Sequence, residues 1–518
     1  MGVTLRLVSA SRWVRSAASF LLGAAAVLGF APVGLSPLAV LAPAALMALW
    51  NRAESPRAAG LMGFAFGLGL FGAGASWVYV ALSTFGGMPV PLAGLATLIF
   101  CAYLALFPAV TGWVCARLAP PASGARLTAA AACWALTEWL RSWLLSGFPW
   151  LSIGYALIDS PLAGYAPVGG VFLVGLAAAL TAALLAYLAS VPRSVGDSAT
   201  LLAMGALAGI WIAGAGLRTI EWSQAVGEPV TVSLVQGNVR QEIKFDPQFR
   251  DQTLAIYADL VAQAKGRLTV LPESALPMFA DEVPSDYVAR LRAAALSRDG
   301  DVLLGLFFFE PRAAGESEDH YFNSVVSIGS ATPQVYRKRH LVPFGETIPL
   351  KPLVGWFIRS VLHIPLEDQT AGPPGQAPFE VAGQRVAVNI CYEDAFGSEL
   401  AQEAPDSTLL VNVTNDAWYG RSLAAEQHEQ IAAFRAVETA RPMLRATNTG
   451  ITSIIDHRGG EIARLPWFTR GVLEGEIAGR SGVTPYVRLG DASAVVAALA
   501  LAAAALFVGR RSKARAKP

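Results

Sequence analysis

The sequence predicts an α-helical polytopic membrane domain of about eight spans joined to an α/β domain, and three observations carry that expectation. The 518 residues are 54% hydrophobic and only 15% charged, with a mean hydropathy of +0.46, too apolar for a water-soluble chain of this size. Residues 16–51 and 58–116 contain no charge at all. From residue 228 onward, short apolar runs bounded by polar turns alternate with segments of helical period, which is the pattern of an α/β fold.

Each charge-free stretch is long enough for two spans of about 20 residues. Proline and glycine break the first near residues 31–37, and SWVYVALSTFGGMP (residues 76–89) breaks the second with interfacial aromatics and a turn. Apolar segments at residues 127–145, 168–189, 201–217 and 492–509 bring the total to eight. Short cytoplasmic loops carry an excess of Lys and Arg. Arg6, Arg12 and Arg15 precede span one, Arg52 and Arg57 follow span two, Arg117 and Arg126 follow span four, and Arg193 follows span six. All therefore fall on one, cytoplasmic, side. The expected organisation is a membrane domain of seven spans over residues 1–218, an extracytoplasmic domain over 219–490, and span eight with the basic cytoplasmic tail over 491–518. Both termini are then cytoplasmic. The first apolar segment is read as a span rather than a cleaved signal peptide, because no small-residue cleavage site follows it and another span does. Glu138 and Arg141 in LTEWLRSWLLSGFPW share a helical face within span five, and such a pair in lipid serves either as an ion pair or as a headgroup contact.

Composition also excludes functions. A net charge of +1 without a concentrated basic surface gives no reason to expect nucleic acid. Cys101, Cys115 and Cys133 lie in apolar segments and Cys391 stands alone in the polar half, so no disulfide framework is implied. His320, His340, His363, His428 and His457 are widely separated, with no paired zinc-binding spacing. No glycine-rich phosphate loop is present, and no cofactor is expected.

In the α/β half, the candidate strands are VTVSLVQGN, LTVLPES, DVLLGLFFF, FNSVVSIG, RVAVNICYE, STLLVNVTND and GITSIIDH, with DQTLAIYADLVAQAKG and SDYVARLRAAALSRDG as helices. Several runs are continuously apolar, as for strands buried on both faces. Sites in such sheets lie beyond the carboxyl ends of the strands. Those ends carry Glu273, then Lys338 followed by Glu346, then Cys391, Tyr392 and Glu393, and finally Asn415 and Asp416. A cysteine attacks a carbonyl as thiolate, and its free pKa of about 8.5 leaves only a few per cent ionised at neutral pH. It needs a base and a cation. Glu273 can accept the thiol proton, and the Lys338 ammonium can stabilise thiolate and oxyanion. Singly, each has a duller explanation: a buried small hydrophobe for Cys391, a turn carboxylate for Glu273, a solvated basic run for Arg337, Lys338 and Arg339. Only the combination is specific.

LPESALP, RKRHLVPFGE, ICYED and VTNDAWYG resemble the Glu-Lys-Cys signatures of the nitrilase superfamily. With GASWVYVALSTFGGMP and GFPWLSIGY in the membrane part, nearly the whole chain resembles that superfamily's membrane-embedded branch, the apolipoprotein N-acyltransferase family. The resemblance implies an αββα sandwich, with Glu273 as general base, Lys338 as oxyanion stabiliser and Cys391 as nucleophile. Glu346 would be a second active-site glutamate, and Tyr392 and Glu393 supporting neighbours. Phe245 in QEIKFD stands where tryptophan is frequent in the family. The implied reaction moves the sn-1 acyl chain of a phospholipid, with phosphatidylethanolamine the expected donor, through a Cys391 thioester to the α-amine of a diacylglyceryl-cysteine at an apolipoprotein N-terminus. The implied setting is the bacterial inner membrane, with the catalytic domain periplasmic and the protein monomeric. A membrane-anchored nitrilase-like amidohydrolase would share the triad, and a transporter or scaffold whose outer domain only binds a ligand would not need it. Residues 350–366, LKPLVGWFIRSVLHIPL, are expected to form either a membrane-surface lid or a core helix.

Overall fold

The computed structural model describes residues 11–190, 197–312, 319–347 and 368–515. The segment 350–366, Arg6 and Arg193 lie outside them. Two compact units emerge: Met1–Tyr79 with Pro89–Ile220 and Leu489–Pro518, and Val80–Met88 with Glu221–Arg488.

The first unit is helical, with helices Arg12–Ala26, Pro37–Asn51, Pro56–Gly74, Val90–Leu118, Gly124–Arg141, Ala166–Ser190, Ser198–Arg218 and Ala492–Arg515. Their starts follow local chemistry. The Ser55 hydroxyl accepts the Ala58 amide ahead of Pro56, and Ser123 does the same for Arg126, so free N-terminal amides are capped. Packing exploits missing side chains: a Cβ on Gly63 would lie 2.2 Å from the Pro108 carbonyl oxygen, and one on Gly67 2.6 Å from Ala105 Cα. This four-residue glycine spacing lets two apolar helices touch backbone to backbone.

Eight helices occupy the positions of the eight expected spans, but the number that length and composition alone mark as able to cross a membrane falls short of eight. Among the described residues, five helices are long and apolar enough to cross a membrane: Pro56–Gly74, Val90–Leu118, Pro161–Ser190, Ser198–Arg218 and Ala492–Arg511. Pro37–Asn51 is apolar but shorter, and 15 residues rise only about 22 Å against a hydrocarbon core of about 30 Å. Arg12–Ala26 has the same length. Gly124–Arg141 carries Arg126, Glu138 and Arg141 within its 18 residues. Glu138 and Arg141 brace the irregular backbone that follows this helix. Arg141 donates to the carbonyls of Phe148 and of Trp150, the latter at 2.6 Å, and to the Ser152 hydroxyl at 3.1 Å. Glu138 accepts from the Trp134 indole at 3.0 Å and the Ile153 amide at 2.9 Å. Non-helical backbone amid apolar helices needs such internal partners.

The second unit is an αββα sandwich. In chain order its strands are β1 (Gln224–Ala225), β2 (Val230–Gln236), β3 (Leu268–Val270), β4 (Asp301–Glu310), β5 (His320–Gly329), β6 (Val335–Arg337), β7 (Phe379–Val381), β8 (Gln384–Ile390), β9 (Leu409–Thr414), β10 (Met443–Thr447), β11 (Thr452–Ile455), β12 (Glu461–Leu465), β13 (Gly471–Ile477) and β14 (Arg480–Ser481). One six-stranded sheet runs β13-β2-β3-β4-β5-β6 and the other β12-β11-β10-β9-β8-β7, while β1 pairs with β14. The centres are parallel, β2 to β4 and β8 to β10, and the flanking pairs antiparallel. Alternation puts Val232, Leu234 and Val270 of one sheet against Val388, Ile390 and Val411 of the other in one buried core. On the outer face of the first sheet, Val235, Val302 and Leu304 pack with Tyr257 and Leu260 of helix Arg250–Gln263 and Leu291 of helix Ser285–Leu296.

Each of the seven anticipated strand segments contains a strand. β1, β6, β7, β10, β12, β13 and β14 were absent from that expectation, and β10 shows why: MLRAT is interrupted by Arg445, yet the whole strand is buried.

Gly305 of β4 passes directly over the turn that ends β3. A Cβ there would lie 2.5 Å from the Pro272 carbonyl oxygen and 2.7 Å from the Ser274 amide nitrogen. Gly305→Val is expected to cost about 1–3 kcal/mol through overpacking, seen as a fall of several degrees in the thermal unfolding midpoint of the detergent-solubilised protein; an unchanged midpoint would contradict the close approach.

Candidate active site

β8 delivers Cys391 at its carboxyl end, as the first residue of the 3₁₀ turn Cys391–Ala395. Its φ of +55° lies in the left-handed region, which costs a residue with a side chain about 1–3 kcal/mol unless the surroundings enforce it. The surroundings here are a row of outward-facing polar residues in register across three strands: Asn389, Asn412 and Arg445. Asn412 donates to the Asn389 side-chain oxygen at 2.6 Å and to the Cys391 carbonyl at 3.1 Å, and Arg445 donates to Asn412 at 2.8 Å. Arg445, wholly buried, also binds Asp394 at 3.1 Å and Asp416 at 3.0 Å. His428, from helix Ala424–Thr439, spans the same two aspartates at 2.9 and 2.8 Å, with Nε2 also 3.3 Å from the Cys391 carbonyl. Burial and Arg445 push the imidazole's pKa down, but the two carboxylates overcome both and raise it to about 9. Burial alone would raise Asp416, yet His428 and Arg445 hold it below its ordinary value. Two cations and two anions thus close a neutral cluster behind the turn.

Glu273 comes from the turn after β3 and Lys338 from the residue after β6, both buried. The Lys338 ammonium, 1% exposed, donates to Glu273 Oε1 at 3.3 Å and Glu346 Oε1 at 2.7 Å. Burial disfavours its charge, but Glu346 and Glu273 outweigh burial and raise its pKa well above the ordinary value. Asn323 of β5 donates to the same Glu273 oxygen at 2.8 Å. Glu273 Oε2 consequently has no protein donor among the described residues. Glu346 differs, since its Oε2 accepts the Val342 amide at 2.8 Å.

Glu393 is fully engaged. It accepts from the amides of Ile390 at 2.6 Å, Arg339 at 2.6 Å and His340 at 3.1 Å, and from the Tyr336 hydroxyl at 3.1 Å. Burial raises its pKa to about 7 against those hydrogen bonds and Lys338. Burial and then Glu273 raise the Cys391 thiol, while Lys338 opposes them. Cys391 is therefore held toward its neutral thiol form. Tyr392 packs edge-on against Phe396 at 5.0 Å. Phe245 is exposed, 6.5 Å between ring centres from Trp418, which meets Phe85 of the Val80–Met88 segment at 6.3 Å. The described residues contain no cluster of His, Cys, Asp or Glu able to hold a metal ion.

Residues 22–184 match the family described as apolipoprotein N-acyltransferase N-terminal domain, and residues 231–486 match carbon-nitrogen hydrolase. An apolipoprotein N-acyltransferase of Nitrosomonas europaea is 49% identical over 96% of this chain and 99% of its own. The chain belongs to the apolipoprotein N-acyltransferase family. Proteins of the same name from Chromobacterium violaceum, 42% identical over 96% of this chain and 94% of theirs, and Ralstonia nicotianae, 43% identical over 95% and 93%, agree. The relationship runs through both the helical unit and the sandwich, so the α-helical membrane part and the carbon-nitrogen hydrolase fold are features of one apolipoprotein N-acyltransferase family chain.

Within this family member, the structure brings Glu273, Lys338, Glu346, Cys391 and Glu393 to one edge of the sandwich and turns Phe245 to the surface. Asn323, Asp394, Asn412, His428 and Arg445 escaped sequence reasoning. The signal available was Asp394 and Asp416 close after two strand ends; their cationic partners arrive from a helix and a strand with no spacing relation to them.

His428 supplies a pH test. Its folded-state pKa is raised from 6.5 to about 9, so its stabilisation is complete below about pH 6.5 and is lost as pH rises toward about 9. The wild type is expected to lose about 3 kcal/mol more stability across that window than His428→Gln. Parallel slopes in denaturant unfolding measured across the window would contradict the charged cluster.

Proposed function

We propose that this protein moves an acyl chain from a phospholipid to the N-terminal amine of a diacylated apolipoprotein, in two steps, through a thioester on Cys391. The observation carrying this proposal is the convergence of Glu273, Lys338 and Cys391 in one buried site, on a chain related over nearly its full length to apolipoprotein N-acyltransferases.

Glu273 takes the thiol proton as Cys391 Sγ attacks the sn-1 ester carbon, and Lys338 stabilises the tetrahedral oxyanion. The carbon–oxygen bond breaks, Glu273 returns the proton to the departing glycerol oxygen, and a lysophospholipid leaves a thioester behind. The acceptor amine then attacks the thioester carbon and yields a proton to Glu273. The carbon–sulfur bond breaks, Sγ recovers the proton, and an amide is released. The net reaction converts ester and amine into alcohol and amide, without metal or redox partner. Covalent catalysis replaces a slow attack of amine on ester by two easier displacements. In this proposal Glu346 fixes the Lys338 ammonium, and Glu393 with Tyr392 holds the nucleophile turn. Phosphatidylethanolamine is the proposed donor, and the working form is proposed to be a monomer.

We further propose that the sandwich is periplasmic and both termini cytoplasmic, following Arg52, Arg57, Arg117 and Arg126 on the cytoplasmic side. In spheroplasts, a membrane-impermeant maleimide should label a cysteine placed at Arg312 and spare one placed at Arg57; the opposite pattern would reverse the orientation.

The amidohydrolase alternative shares the acyl-enzyme and differs in its acceptor. Purified protein incubated with phosphatidylethanolamine should gain one acyl chain in intact mass and lose it on addition of a diacylated lipopeptide, which becomes triacylated. Cys391→Ala should never gain the mass, and Glu273→Gln should form the adduct at least about 10²-fold more slowly. An adduct discharged to water alone would favour the hydrolase, and no adduct in the wild type would remove both enzymes.

A further inference from the structure

Lys244 is a buried ammonium for which the mechanism above has no use. It ends the four-residue helix Gln241–Lys244, and only 2% of it is exposed, whereas Phe245 next to it is 47% exposed. The helix is fixed by a chain of amides: Asn415 donates to the Gln241 side chain at 2.9 Å, Asn448 donates to Asn415 at 3.0 Å, and Asn448 also donates to the Val239 carbonyl at 2.8 Å. Asn415 directly follows β9 and Asn448 directly follows β10, so the sheet edge that carries the site also aims this helix. Lys244 Nζ reaches the main-chain carbonyl of Glu273 at 3.1 Å. Its two other N–H bonds have no protein acceptor among the described residues.

We propose that Lys244 is a positioning residue of the site, a second buried cation that fixes the main chain of Glu273 and favours the Cys391 thiolate. The division of labour between the two lysines follows from their partners. Lys338 is shared between two carboxylates, Glu273 and Glu346, whereas Lys244 bonds a carbonyl and no carboxylate, so it adds positive charge to the site beside the Lys338 ammonium that already opposes the rise of the Cys391 thiol. Charge near a nucleophile matters most where water is excluded. Glu273 and Cys391 are the titratable groups acting on Lys244; burial lowers its pKa to about 8 while both of them resist that fall. The ammonium is therefore largely retained at neutral pH.

The inference rests on Cys391 being the nucleophile, and its test is independent of acyl transfer. Full-length protein in detergent is alkylated with iodoacetamide at pH values from about 6 to about 10, and modification at Cys391 is followed by peptide mass. Lys244→Met removes the charge at similar length; Lys244→Gln removes it but retains a donor for the Glu273 carbonyl; Lys244→Arg keeps it. At about pH 7, where wild-type Lys244 keeps its proton, the two neutral variants should be alkylated about tenfold more slowly, and the difference should fade as pH rises past about 8. Lys244→Arg should stay close to wild type at about pH 7. A merely structural lysine would change the unfolding midpoint and leave the alkylation rate at that pH in place. If Lys244→Met fails to fold, Lys244→Gln carries the comparison. A folded neutral variant alkylated at the wild-type rate at that pH overturns the inference. Wild-type protein that never acquires an acyl adduct would instead overturn the proposed function, whatever the alkylation shows.

Discussion

The interaction on which the rest of the site depends lies behind the cysteine rather than beside it. Cys391 adopts a left-handed backbone conformation, and its carbonyl is gripped by Asn412 at 3.1 Å and faces His428 at 3.3 Å. His428 belongs to the buried cluster of Asp394, Asp416, His428 and Arg445, and Asn412 is tied to it by accepting from Arg445. A buried ion pair is poor evidence of net stability, because desolvation offsets attraction. What such a cluster supplies is geometry. Each charge has defined partners, and moving any one of them leaves another unpaired in low dielectric. The turn is thereby locked in a conformation that its own residues would not choose.

That constraint explains the arrangement of the second sheet. Strand alternation sends Val388, Ile390 and Val411 into the core between the sheets, and it sends Asn389, Asn412 and Arg445 to the opposite face in register. A row of polar groups on a buried face is unfavourable unless every member finds a partner. The helix Ala424–Thr439 covers that face and brings His428 to it. Packing the helix and positioning the nucleophile are therefore one event. The strand register that fills the core also aligns the polar row.

The same physics separates what the sequence reveals from what it conceals. Continuously apolar runs such as VLLGL in β4 report burial on both faces directly, and strand ends bearing Glu273, Lys338 and Cys391 announce chemistry because each residue type is costly there. Arg445 conceals β10, since an arginine inside MLRAT breaks the apolar run, although the strand lies at the heart of the sheet. Its burial makes sense only once Asp394 and Asp416 are placed beside it, 51 and 29 residues away in sequence. Lys244 was concealed differently. In QEIKFD the aromatic residue draws attention, yet the chain turns Phe245 outward and the lysine inward, and nothing within six residues encodes that choice. The helices err in the other direction: absence of charge over residues 16–51 marks an apolar stretch without revealing that the helices there, Arg12–Ala26 and Pro37–Asn51, hold only 15 residues each.

Three glutamates converge at the site, and hydrogen-bond capacity assigns them distinct roles in the proposed reaction. A carboxylate with both oxygens held by donors is a strut, because accepting a proton would displace one of those bonds. Glu393 is such a strut, tying the amides of Arg339 and His340 to that of Ile390. The residue after Lys338 and the residue before Cys391 thus share one carboxylate, which sets the distance between the proposed oxyanion stabiliser and nucleophile. Glu346 is a second strut, held by Lys338 on one oxygen and by Val342 on the other. Glu273 takes Asn323 and Lys338 both on Oε1. Those donors orient its carboxylate while leaving Oε2 for a moving proton, the property a base needs in order to serve both halves of a two-step transfer.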